Sequence, residues 1–93
     1  MAAAPTPEPD PAATLARLLR RLRGVAELTR RAVSDALGVA ESAIESWEAA
    51  GHAHQRLPGA RNLTRALELY GASDSDGSEA RRLLYAAAER RGR

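Results

Sequence analysis

Cysteine is absent from the 93 residues, as are lysine and phenylalanine, and Trp47, Tyr70 and Tyr85 are the whole aromatic complement. Without cysteine there is no disulfide framework, no thiolate zinc site and no thiol nucleophile, which accords with a reducing, cytoplasmic setting. No apolar run approaches the roughly 18 residues of a membrane span. The opening Met1-Ala2-Ala3-Ala4-Pro5 lacks the basic and apolar regions of a secretory leader, so the expectation is a soluble chain with no membrane partner. Scarce aromatics disfavour a β-sandwich, whose strands draw on β-branched and aromatic side chains. Leucine and alanine supply most apolar positions and favour packed helices, so the expected class is all-α. The length suits one small domain.

The basic residues number 14 and are all arginine, set against 12 acidic ones for a net charge of +2. Arginine's planar fork of donors suits phosphates and carboxylates, although an arginine- and alanine-rich composition also follows from GC-rich coding. Position is more informative than the total. Residues 14–39 carry +4, and residues 40–51 carry −3.

Pro5, Pro7, Pro9 and Pro11, interleaved with Thr6, Glu8 and Asp10, make residues 1–13 read as an extended, disordered tail. The domain is expected over 14–91, opening at a Thr14 cap. Leu15, Leu18, Leu19 and Leu22 fall on one face of a first helix, with Arg17, Arg20 and Arg21 outside it. A second helix is capped by Thr29, buries Val33 and Leu37, and stops at Gly38. A third spans about Ala40 to Ala49, with Ile44 and Trp47 inward and Glu41, Ser42, Glu45 and Ser46 outward. After a loop ending in Pro58-Gly59, a fourth helix runs from Ala60 to Tyr70, carries Leu63 and Leu67, and is stopped by Gly71. Residues 73–78 read as a polar turn before a last helix over about 78–91, whose Ala80, Leu83, Leu84, Ala87 and Ala88 share a face.

Residues 29–49 hold the most specific pattern. Val33, Ser34, Leu37, Gly38, Val39, Ile44 and Trp47 satisfy the helix-turn-helix spacing: apolar, small, apolar, a turn glycine, then apolar positions on the second helix. Ser34 is small where the helices cross, Gly38 accepts positive φ, and the four large apolar residues set the crossing by burial. Together with Leu22-Arg23 before the motif, Trp47-Glu48 at its end, and Pro58, Leu63 and Leu67 beyond, the chain resembles the Cro and CI-type phage repressors and related Xre-like bacterial regulators over about residues 15–71.

That resemblance implies a five-helix, lambda-repressor-like domain that binds double-stranded DNA and regulates transcription. It implies that Arg23 and Glu48 pair structurally, and that the helix from Ala40 enters the major groove with Glu41, Ser42, Ala43 and Ser46 nearest the bases. It places Thr29, Arg30 and Arg31 at phosphates, with Arg56 and Arg61 as a second backbone anchor. The chain departs from the family in three ways. Glu27 replaces the glycine expected before Leu28, the loop from Ala49 to Pro58 is long, and the presumed reading helix has Glu41, Glu45 and Glu48 but no base.

Those carboxylates also suit the rival reading, an interaction module whose acidic helix docks a protein partner. Reading two half-sites would need a homodimer, with the last helix as its candidate surface, but the scarcity of large apolar residues elsewhere favours Leu83, Leu84 and Tyr85 completing the core instead. His52 and His54 supply two of the three or four ligands a metal site needs and read as exposed loop residues, so no metal is assigned. No glycine-rich phosphate loop and no Ser/His/Asp arrangement is present, so neither a cofactor nor an enzymatic activity is expected.

Overall fold

The computed structural model describes residues 10–92, so residues 1–9 of the expected tail lie outside the described residues. Five helices follow in order: α1 (Pro11–Val25), α2 (Arg30–Leu37), α3 (Glu41–Trp47), α4 (Ala60–Tyr70) and α5 (Asp74–Arg91). Among the described residues there is no strand.

α1 starts earlier than the proline count suggests. Asp10, not Thr14, is the cap: its carboxylate accepts from the Ala12 amide at 3.1 Å, and Pro11 takes the first helical position. Proline is at home there because its missing N–H would have had no intrahelical partner and its φ is already helical. Ala12 and Ala13, assigned to the tail on sequence, are buried. Thr14 lies inside the helix, and its hydroxyl donates to the Asp10 carbonyl at 3.0 Å.

α5 likewise starts before the expected 78. Ser73 caps it by accepting from the Asp76 amide at 3.1 Å, so the residues read as a polar turn form the first helical turn. Asp74 and Asp76 favour that end electrostatically, and Arg90 and Arg91 favour the other. α3 is shorter than the expected Ala40 to Ala49, because the Glu48 amide is shared between the Ile44 and Glu45 carbonyls and the chain turns away.

α1 and α5 pack antiparallel. Arg21 reaches Asp76 at 3.2 Å near one end, and at the other Gln55 joins the start of α1 to the end of α5. Leu15, Leu18, Leu19 and Leu22 turn into a core completed by Val33, Leu37, Ile44, Trp47, Leu63, Ala66, Leu67, Tyr70, Ala80 and Leu83. Truncating any of the large ones to alanine costs about 2–5 kcal/mol, a large fraction of what a domain of this size has to lose. Leu83 therefore belongs to the core and Leu84 packs against it, whereas Tyr85 on the same helix is 75% exposed.

Candidate nucleic-acid interface

Thr29 begins the motif with extended backbone, and its hydroxyl accepts from the Ala32 amide at 3.1 Å. At the other end of α2, Gly38 sits at φ +68° with its amide on the Ser34 carbonyl at 2.9 Å. Only glycine takes that left-handed conformation without steric cost. Ser34 does more than stay small. Its carbonyl also accepts from the Val39 amide at 3.2 Å, and its hydroxyl donates to the Val39 carbonyl at 2.5 Å, stitching the turn from both sides. Arg65 of α4 reinforces it by donating to the Leu37 and Ala36 carbonyls at 3.0 and 3.1 Å, a cation on the negative end of α2.

Behind α3 lies a charged knot. The Glu48 carboxylate has a side chain only 1% exposed and accepts from Arg23 Nε at 2.8 Å and Nη2 at 2.9 Å. Arg23 Nη1 donates to the Leu28 carbonyl at 2.9 Å, fixing the approach to α2. Hydrogen bonding to Glu48 holds the Arg23 guanidinium above its ordinary pKa. Tyr70 lies within the same field: burial, aided by the Glu48 charge and opposed by Arg23, pushes its phenol up to about 12.

Arg30 also belongs to this knot, with its Nε 3.3 Å from Glu48 Oε1. The three residues at the start of α2 are therefore not equivalent. Thr29 is committed to its cap, Arg30 is half-buried against Glu48, and Arg31 is exposed. On α3, Glu41, Ser42 and Glu45 face solvent, while Ala43 packs partly against the core. Ser46 is spent on the loop: its hydroxyl accepts from the Arg56 amide at 2.9 Å and donates to the His54 carbonyl at 3.5 Å. That bond brings Arg56 into an open cleft with Ala40, Ser42, Ala43 and Ser46. Arg61 is exposed in the first turn of α4. Among the described residues, no group of three or more His, Asp or Glu gathers as a metal site would require.

Two organising residues carry no local sequence signal. Gln55, 5% exposed, donates to the Ala12 carbonyl at 2.8 Å and accepts through its own carbonyl from Arg91 at 2.7 Å. Arg65 is the other, since the carbonyls it serves lie 28 and 29 positions earlier. Both are long-range bonds from side chains to backbone, which no periodicity announces. Glu27, in contrast, was marked by the departure from glycine, and it adopts φ +58°.

No curated relative and no solved structure matches the chain significantly. The profile of the helix-turn-helix domain family matches residues 14–83, from the second turn of α1 to the middle of α5, and with α2, the Gly38 turn and α3 arranged as described, the chain belongs to that family.

Proposed function

We propose that this domain is a sequence-specific regulator of the Cro and CI type that inserts α3 into the major groove of double-stranded DNA. The observation that carries the reading is the pairing of a stitched α2–turn–α3 unit with a polar solvent face on α3, made of Ser42 between the carboxylates of Glu41 and Glu45. Arg31, Arg56 and Arg61 are exposed cations, Arg56 in the cleft beside α3, and suit phosphates that fix register. Thr29, Arg30, Ala43 and Ser46 hold this surface in shape as well as lining it.

The acidic residues of α3 are compatible with groove insertion. Glu48 is withdrawn into its ion pairs, so the face carries Glu41 and Glu45 only. A carboxylate about 7 Å from a phosphate costs roughly 0.6 kcal/mol at bulk dielectric before salt screening. One that accepts from a cytosine amino group gains about 1–3 kcal/mol of discrimination. The carboxylates thus lower nonspecific affinity while leaving readout intact.

A second copy is the protein partner that the surface favours. Tyr85, Leu84 and Ala88 line an apolar cleft with Leu57, Pro58 and Ala60. α5 is acidic in its first turn and basic in its last, so two copies laid antiparallel about a two-fold axis bring the acidic end of each toward the basic end of the other. Selection of duplexes from a random library tests the reading. A recovered motif whose affinity falls steeply with salt supports it, and no enrichment with weak binding even at low salt overturns it in favour of a protein-docking role for α3.

A further inference from the structure

The reading face lacks a base of its own, yet the loop that follows α3 folds back to provide titratable ones. Ser46 ties His54 and Arg56 to α3, and the result is a cleft walled by Ser42, Glu45 and Ser46 on the helix, by Ala49 just past its end, and by His52 and His54 on the loop. The two imidazole rings lie 5.6 Å apart, tilted by 50°. Both histidines are exposed, while Gln55 beside them is buried and bonded to α1 and α5. The imidazoles therefore stand on an anchored base beside the groove-facing helix.

We infer that His52 and His54 form a second DNA-contacting element that grips the phosphate backbone alongside α3, and that its grip tightens as the imidazoles gain protons. This rests on the DNA-binding reading above. His52 Nδ1 accepts from the His54 amide at 3.2 Å, so the neutral ring carries its proton on Nε2. Protonation of Nδ1 turns that acceptor into a donor and releases the His54 amide, adding two donors where an anion would lie. The charged groups around the pair are Glu45 from α3, Arg56 on the loop, and Arg91 of α5 behind Gln55. With both rings neutral, Glu41, Glu45 and Arg56 leave the α3 face and its loop at −1, and with both protonated the same surface carries +1. Gain of the two protons therefore inverts the sign that this surface turns toward the duplex.

The test uses the full chain and a duplex recovered by selection, with affinity measured against salt at about pH 6 and about pH 8. Each phosphate contact steepens the logarithmic salt dependence by about 0.9. The slope is expected to steepen by up to roughly 1.8 at the lower pH for two histidines. The double variant His52→Gln/His54→Gln, checked by thermal melting to be folded, is expected to show one slope at both pH values. Equal slopes in the native chain, or a pH-dependent slope that survives in the folded double variant, would overturn the inference and leave DNA binding by α3 standing. Failure to recover any bound duplex at either pH would overturn both.

Discussion

Arg23 grips the Glu48 carboxylate with two of its nitrogens, at 2.8 and 2.9 Å, across 25 positions of sequence. The pair joins the end of α1 to the end of α3, and the same guanidinium holds the Leu28 carbonyl. α3 is thereby fixed from behind, at the residue that caps its C-terminal end, by a charge pair that solvent barely reaches.

The two ends of that pair are unequal, which predicts unequal losses. Glu48 has 1% of its side chain exposed and Arg23 has 16%. Arg23→Met strands a buried carboxylate on the single longer bond to Arg30, and should destabilise by about 3–5 kcal/mol in urea titrations. Glu48→Gln leaves a guanidinium that can turn toward water, and should cost less. The double variant Arg23→Met/Glu48→Leu should recover much of the loss. If Glu48→Gln proves the more damaging single change, burial does not govern the pair.

Glu27 predicts a gain. A non-glycine residue in the left-handed region costs about 1–2 kcal/mol, and glycine returns roughly 0.5–1 of that through the freedom of its unfolded chain. Glu27→Gly should therefore stabilise by up to about 1 kcal/mol, a rise of a few degrees in melting temperature for a domain this small. Glu27→Ala keeps the strain and should change little. Equal effects of the two substitutions would show that side-chain loss, not backbone relief, is responsible.

Much of the helical layout is legible in the sequence, for a physical reason. Leucine spacing marks the buried faces of α1 and α4, and Gly38 and Gly71 mark the stops of α2 and α4 through positive φ of +68° and +65°. The starts of α1 and α5 are not legible by composition. Pro11, and Asp74 through Gly77, have loop-like chemistry that helix first turns also use, and only the cap bonds of Asp10 and Ser73 decide between them. Around α3, exposure of Glu41 and Ser42 follows from the period, but the diversion of Arg30 to Glu48 and of Ser46 to the loop depends on partners 18 and 10 residues away. Local pattern says which side chains leave the core and is silent on which of them find partners at the surface.

Tyr70 predicts an alkaline weakness. Its phenol is raised from 10.0 to about 12 in the folded domain, first by burial and then by the Glu48 charge. The folded state thus holds a proton that the unfolded chain gives up sooner. The associated stability is intact below pH 10.0 and is lost as pH rises toward about 12. The loss is on the order of 2–3 kcal/mol. Tyr70→Phe removes the titrating group, so its urea midpoint should decline less across that window. Parallel declines would assign the alkaline loss to other groups.

Arg30 and Arg31 are adjacent in sequence but predict different signatures in DNA binding. Arg31 is exposed, and its truncation should weaken binding to all duplexes alike and flatten the salt slope by about 0.9 while leaving the melting temperature nearly unchanged. Arg30 shares Glu48 with Arg23, so Arg30→Ala removes a cation from a buried carboxylate and should lower stability as well as affinity. Ionic strength separates the two. If Arg30 acts only through Glu48, its variant should bind more weakly with an unchanged slope, because no released counterion is lost; if it also touches a phosphate, the slope should flatten as it does for Arg31. An unchanged slope in Arg31→Ala would remove Arg31 from the proposed phosphate-contacting surface.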